Sequence, residues 1–563
     1  MSLRRFISSF IFVLLLLVSS FAGAAAVAGE WSAEEVRAIL AERIDEQEKS
    51  VGIAVGLIDE HGSTVVGYGK LDATDDREPD GKTVFEIGSI SKVFTSILLA
   101  DAVRRGTIGL EDPVQKFLPD SVLVPVRDDT AITLYHLSTH TSGLPRMPGN
   151  FAPADPTNPF ADYSVEQMYE FLSGAELTGK PGAKAAYSNY GVGLLGHVLA
   201  LQAGSDYETL MRKRIAGPLK MKDTRIVLTP ALEKRLAHGH DAALQPAANW
   251  DIPTLAGAGA IRSTVDDMLR FLAANMELTR SPISAAMKES HRSREEFGRP
   301  GMHIGLGWII RQEDDRTIHW HNGGTGGYHS FVGFDKEHKL GVVVLSNSTN
   351  GIDDIGFHLL APEFELAQFK SEAQAVEFDP ERFDAYVGRY QLTPQFILSV
   401  TRDGSRYFVQ ATGLGTLEVF PESETRFFAT AVEGAVSFAM GDDGKVSHMV
   451  LHQGGATRKA AWLDADVAKA PEVVEVSEEI LERYVGRYEL QPAFVITVRR
   501  DGARLFAQAT AQPDFELFAE SETKFFYRVV EAQITFDVNE TGKAGSLTLH
   551  QGGANMPAER LAD

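Results

Sequence analysis

The last third of the chain is written twice. Tyr386-Val387-Gly388-Arg389-Tyr390 recurs 98 residues on as Tyr484-Val485-Gly486-Arg487-Tyr488. At the same interval Asp403-Gly404 returns as Asp501-Gly502, Ser423-Glu424-Thr425 as Ser521-Glu522-Thr523, and Leu451-His452-Gln453-Gly454-Gly455 as Leu549-His550-Gln551-Gly552-Gly553. A segment copied without a gap must fold as a unit that can stand beside itself, so each copy is a small domain of its own. Within a copy, apolar and polar residues alternate in short runs, as in Phe396 to Val400 and Leu547 to Leu549, broken by Asp-Gly, Gly-Lys or Gly-Gly. That pattern predicts small all-β antiparallel barrels or sandwiches. The copies occupy residues 379–464 and 477–563, behind linkers at Lys370 to Phe378 and Asp464 to Val476.

The chain begins with a different signal. Arg4 and Arg5 precede an apolar run from Phe6 to Phe21, and small residues follow, offering Ala22-Gly23-Ala24 and Ala26-Val27-Ala28 as cleavage sites. The run is shorter than the roughly 20 residues a spanning helix needs. Residues 1–28 therefore read as a secretory signal cleaved within 24–28, leaving a periplasmic or secreted chain with no integral membrane span.

Between signal and repeats, residues 29–370 mix helical and strand patterns without a break, which predicts one large α+β domain. Ser32-Ala33-Glu34-Glu35 is a capping box that opens a helix to about Glu48. Val51 to Ile58 and Ser63 to Tyr68, separated by His61-Gly62, form a predicted hairpin. A net charge of −23 argues against nucleic acid or an anionic membrane surface as partner, because phosphate binding relies on clustered Lys and Arg. The absence of cysteine excludes disulfides, thiolate nucleophiles and Cys-ligated zinc.

Chemistry enters at Glu86-Ile87-Gly88-Ser89-Ile90-Ser91-Lys92. Ile90, Val93, Phe94, Ile97 and Leu98 follow helical spacing, so an apolar stripe is expected to bury one face of a helix that Arg104-Arg105-Gly106 closes. Ser89 and Lys92, three apart, then project together from its first turn, where free backbone N–H groups favour a developing anion. A serine hydroxyl becomes a useful nucleophile when a neighbouring base takes its proton, and a lysine withdrawn from water can do that. The motif alone is weak. Ser521-Glu522-Thr523-Lys524 also fits it, inside a β-rich repeat whose first copy ends in Arg426.

Two further elements follow in order: Tyr187-Ser188-Asn189, ahead of a helical pattern, and His321-Asn322-Gly323-Gly324-Thr325-Gly326-Gly327, after the strand-like Thr317-Ile318-His319-Trp320. With Thr139-His140-Thr141-Ser142-Gly143-Leu144-Pro145, Gly217-Pro218-Leu219 and Ile304-Gly305-Leu306-Gly307-Trp308, roughly Trp31 to Gln368 resembles the class C β-lactamase and low-molecular-weight penicillin-binding protein family of serine hydrolases. That family also holds D-Ala-D-Ala carboxypeptidases, D-aminopeptidases and esterases. The repeats resemble the lipocalin-like domains that often follow such hydrolases.

The resemblance implies an antiparallel sheet flanked by helices and an acyl-enzyme on Ser89. It implies Lys92 as activator, Tyr187 as proton shuttle and Asn189 as a ligand of the substrate amide. An oxyanion hole would form from the N–H groups of Ser89 and Gly324, with Gly323 beside it. His321 departs from the family's lysine, which helps hold the carboxylate of β-lactams. A histidine there is mostly neutral at pH 7 and is expected to gain charge, and improve penicillin hydrolysis, towards pH 6. The substrate expected is a small molecule or a D-amino-acid peptide of cell-wall type, with an esterase or weak β-lactamase as the alternative and a non-catalytic cell-wall binding protein as the alternative from another class. No cofactor is called for. His136 and His140 lack a His-Glu-x-x-His helix, and His238 and His240 stand alone, so a metal centre is not expected. Ligand binding in the repeats, and their role, stay open.

Overall fold

The computed structural model describes residues 31–561 except 73, 156, 299–300, 314–315, 371, 394–395, 412–415, 431, 433, 442–444, 454–455, 465–472, 475, 492–493, 510–513, 528–531, 539–541 and 552–553. The secretory signal expected at residues 1–28 lies outside these, as does most of the second linker. Among the described residues, no helix is long and apolar enough to cross a membrane.

Ser32 accepts the N–H of Glu35 while the Glu35 carboxylate reaches back to the Ser32 N–H, starting α1 at Ala33–Ala41. A wider, π-helical turn, Glu42–Glu46, continues it. The predicted hairpin is β1, Gly52–Ile58, and β2, Ser63–Gly69, paired antiparallel from Gly52↔Gly69 to Ile58↔Ser63. After them come β3 at Val84–Glu86 and β4 at Arg262–Thr264, which pair with each other in a separate two-stranded sheet. The main sheet is completed by β5, Glu295–Glu296, β6, Met302–Ile304, β7, Ile309–Glu313, β8, Arg316–Gly324, β9, His329–Asp335, and β10, Leu340–Ser346. Its strand order is β2-β1-β10-β9-β8-β7-β6-β5. Every pairing between neighbours in it is antiparallel.

Both faces of this sheet are covered, which explains why β1 is buried along its whole length. Ile53, Val55 and Leu57 face a core shared with Val36 and Leu40 of α1 and with Ile355 and Leu359. Ala54 and Ile58 face the larger core, where Phe94 stacks on Phe271 with centroids 4.4 Å apart. A ring pair of that kind adds about 0.5–1.5 kcal/mol beyond its buried area.

The helix after Ser89 is α2, Ser91–Arg104, and Gly106 closes it at φ +72° as expected of a C-terminal glycine. The one-sided stripe does not survive. Every residue from Ser91 to Ala102 is buried, because α2 runs between the sheet side and a helical half made by Asn189–Ala203, Ala256–Gly259 and Ser284–Ser290. A helix sunk on all sides carries no amphipathic requirement, so Ser91, Thr95 and Ser96 are accommodated by hydrogen bonds instead.

Each repeat closes into an eight-stranded antiparallel barrel, spanning Gly388 to Asp464 and Gly486 to Arg560. The repeated tyrosines make the same bonds in both. Tyr386 Oη donates to the Glu424 carbonyl at 2.8 Å and Tyr390 Oη to the Tyr386 carbonyl at 2.7 Å; Tyr484 and Tyr488 bond Glu522 and Tyr484 at 2.8 Å each. Side chains fill the first barrel's inside, among them Phe383, Tyr386, Tyr390, Tyr407, Phe427 and Phe438. Eight strands leave an interior just wide enough for that. The second Ser-x-x-Lys is a turn of the last barrel: the Lys524 N–H bonds Ser521 Oγ, and its amine pairs with Glu520.

The barrel nearest the large domain is tied to it by Lys49 Nζ, which donates to the Thr430 carbonyl at 2.6 Å, and by Lys370, 2.7 Å from Glu422.

Candidate active site

Ser89 occupies a 3₁₀ turn, Gly88–Ile90, immediately ahead of α2. From Thr83 to Ala102 it is the one residue that is not buried. The turn is possible because Gly88 has φ +47°, and because a Cβ there would lie 2.8 Å from the backbone N and O of Gly324. On the facing strand, a Cβ at Gly323 would lie 2.0 Å from the Ile87 carbonyl oxygen. Two backbones thus touch where side chains would hold them apart, and Ser330 Oγ, donating to the Ile87 carbonyl at 2.9 Å, pins β9 to the same loop. The end of β8 is therefore set directly against the turn that carries Ser89, as an oxyanion site built from Ser89 and Gly324 would require.

Lys92 is buried on the first turn of α2. Its Nζ donates to Ser89 Oγ at 2.8 Å and to the Ala258 carbonyl at 2.7 Å. Burial, and then the charge of Arg146, hold this amine well below the ordinary lysine range. A lysine in that condition gives up its proton more readily than a solvated one and, once neutral, can take one from the serine.

Tyr187 comes from the loop ahead of α3, Asn189–Ala203, whose N-cap is Ser188. Ser188 Oγ accepts the Gly191 N–H at 2.9 Å and donates to the Pro145 carbonyl at 2.6 Å, which fixes the start of the helix. The ring of Tyr187 sits 4.9 Å from Lys92 Nζ. Burial pushes its phenol up to about 12, while the hydrogen bond with Ser89 and the charge of Arg146 pull the other way. Ser89, Lys92 and Tyr187, from two distant parts of the chain, are therefore together. Asn189 follows on the first helical turn; among the described residues its side chain meets only the weak acceptor Met147 Sδ, 3.6 Å from its Nδ2.

His321 lies on β8 with its ring centroid 6.3 Å from that of Tyr187. Its Nδ1 is 2.6 Å from the Asn322 carbonyl, which can only accept, so Nδ1 carries the proton and Nε2 is bare. Nε2 is buried without a partner among the described residues. Burial, and then Lys92, push His321 down to about 3. The expectation that it gains charge towards pH 6 is corrected by this environment: a side chain 1% exposed beside a lysine stays neutral there.

Three contributors escaped the sequence. Ala258 acts through its carbonyl, which no side-chain pattern announces. His140, at φ +59°, stacks on Tyr187 and accepts the Ser188 N–H at 3.1 Å; its only sequence signal was membership of the Thr-His-Thr-Ser-Gly run. Behind Gly324, His329 pairs in register with it and is 3.0 Å from Asp353, whose other oxygen accepts from Asn322 Nδ2 at 2.6 Å. Burial alone would lower His329, but the bond and charge of Asp353 raise it above the usual histidine value. Among the described residues, no group of His, Asp and Glu could hold a metal ion.

A family model described as Beta-lactamase matches residues 36–360, and one described as Domain of unknown function (DUF3471) matches residues 372–466 and 470–560. The chain is 32% identical over 330 residues to the D-alanyl-D-alanine-carboxypeptidase/endopeptidase AmpH of Escherichia coli, covering 54% of this chain and 84% of that one. It is 26% identical over 427 residues to penicillin-binding protein 4* of Bacillus subtilis, covering 70% and 90%. Among solved structures, a beta-lactamase/D-alanine carboxypeptidase from Yersinia pestis, complexed with citrate, superposes with a TM-score of 0.52 at 27% identity, over 60% of this chain and 99% of that one.

Proposed function

The chain belongs to the beta-lactamase family of serine hydrolases, and from that premise we propose that it cleaves peptides ending in D-amino acids, of cell-wall type, through an acyl-enzyme on Ser89. The observation that carries the reading is the 2.8 Å contact between Lys92 Nζ and Ser89 Oγ, made by an amine that burial keeps ready to accept a proton.

Ser89 Oγ attacks the scissile carbonyl as its proton passes to Lys92, and the oxyanion is held by the N–H groups of Ser89 and Gly324. Tyr187 relays the proton from Lys92 to the leaving amine as the C–N bond breaks, leaving an ester on Ser89. A water then attacks the ester, giving its proton back through the same pair, and the acid departs. Asn189 and the bare Nε2 of His321 offer a donor and an acceptor to the peptide, and Gly323 lets the substrate backbone lie close. The names of AmpH and of the Yersinia pestis enzyme, both D-alanine carboxypeptidases, favour the D-amino-acid class. Met1 to Ala28 would export the chain to where such peptides are found.

Intact-mass spectrometry after a fluorophosphonate probe tests the nucleophile. One adduct is expected, lost in Ser89→Ala; an adduct that persists in that variant refutes the assignment. Release of D-alanine from a D-Ala-D-Ala peptide, against hydrolysis of a neutral p-nitrophenyl ester, then separates a peptidase from an esterase.

A further inference from the structure

We propose that Arg146 receives an anionic group of the substrate at the mouth of the site, an inference that rests on the hydrolase reading above and narrows its substrates to acids.

The position is well fixed. The Arg146 carbonyl accepts the N–H groups of Asn189, at 3.0 Å, and Tyr190, at 3.3 Å, so its backbone is fastened to the first turn of α3. Its guanidinium carbon lies 5.0 Å from the centre of the Tyr187 ring. A cation over that ring is close to the reacting atoms, because Lys92 Nζ, 4.9 Å from the ring centre, donates to Ser89 Oγ.

Arg146 is also free to bind. It is exposed, and among the described residues no carboxylate or carbonyl is recorded bonding its guanidinium. Other arginines of the same domain are committed: Arg105 and Arg214 to Asp101, Arg262 to Glu86, Arg270 to Asp267 and Arg294 to Glu289. A guanidinium aimed over the catalytic ring and, among the described residues, left without a counter-ion has the fork geometry that takes a carboxylate in two hydrogen bonds.

The remaining bases around the ring cannot do this work. His140 and His321 are held neutral by burial, and Lys92 is buried and occupied by Ser89 and Ala258. Among the described residues, no other exposed cation packs on Tyr187.

A competing role is tuning, since the same charge acts on Lys92 and Tyr187. Rates of Ser89 acylation by benzylpenicillin, which carries a carboxylate, and by an uncharged fluorophosphonate distinguish the two in wild type, Arg146→Gln and Arg146→Lys. The ratio of the penicillin rate to the fluorophosphonate rate is expected to fall about tenfold or more in Arg146→Gln, the scale of a lost charged hydrogen bond, and to recover largely in Arg146→Lys. Raising salt should shrink the wild-type ratio towards that of the glutamine variant. Equal losses with both probes, with a shifted pH profile, would assign the residue to tuning and overturn the proposal. So would an unchanged ratio, or a wild type labelled by the fluorophosphonate alone. Failure of both probes on wild type would instead refute the hydrolase reading, and this inference with it.

Discussion

The imidazole of His140 lies against the phenol of Tyr187, centroids 4.5 Å apart and planes 29° from parallel, while its Nδ1 accepts the N–H of Ser188. One residue thus steadies both the ring and the backbone that carries it. His140→Phe keeps the stack but strands the Ser188 N–H in a buried position. We expect a loss of about 1–3 kcal/mol in stability, measured by chemical denaturation, and a lower kcat with little change in KM. An unchanged kcat would show that Tyr187 is held by other contacts.

Lys92 is retained for chemistry at the expense of stability. Its burial favours the neutral amine, so the folded chain binds protons there less readily than the unfolded one. Lys92→Met fills the same volume without that penalty. Acylation should fall by at least about 10²-fold, the lower end of a general-base contribution, while thermal melting rises rather than falls. A lower melting temperature would mean that the bonds to Ser89 and Ala258 outweigh desolvation.

The acid limb of the pH–rate profile should belong to Lys92. Its pKa is lowered from the usual lysine value, so activity is expected to persist well below that value and to drop only as pH falls through the lowered pKa of the buried amine. His321, at about 3, is neutral across this range. His321→Gln should change the height of the profile measured between pH 5 and 8 and leave its shape alone. A shape change would mean that the imidazole titrates once substrate is bound.

The His329–Asp353 pair predicts an opposite pH trend in stability. Its folded pKa is raised, so the stabilisation is complete below the unfolded histidine value and is lost as pH rises through the folded one. Melting temperatures from pH 5 to 9 should show a decline on the alkaline side that flattens in His329→Gln. Equal slopes in both proteins would place the titrating group elsewhere.

The repeats should be dispensable for acylation. Their cores are separate from that of the large domain, and among the described residues Lys49–Thr430 and Lys370–Glu422 are polar ties between them. A chain ending at Gln368 is expected to fold and to label with fluorophosphonate at the full-length rate. Loss of labelling in a folded truncate would show that a barrel completes the site.

How much of this was readable beforehand depends on the range of the interaction. The capping box at Ser32, the hairpin at His61-Gly62 and the glycine stop at Gly106 are local, and local chemistry is written in adjacent letters. The repeats were legible because the chain contains its own comparison. Ser89 and Lys92 are three residues apart, so their meeting follows from helix geometry. The charge state of His321 was not legible, since it depends on burial by residues far along the chain. The same holds for His140, which reaches Ser188 across 48 residues.

Ser89 is the single opening in a run of twenty residues, the other nineteen of them buried. A nucleophile set in so dense a wall cannot be moved by small changes nearby without disturbing the packing around it. Arg146 and Met147, by contrast, lie in a loop: the Arg146 backbone is fastened through its carbonyl, but its side chain is exposed and can change without disturbing a core. Changes of diet in a lineage of such chains would accumulate in that loop, while the turn at Ser89 stayed as it is.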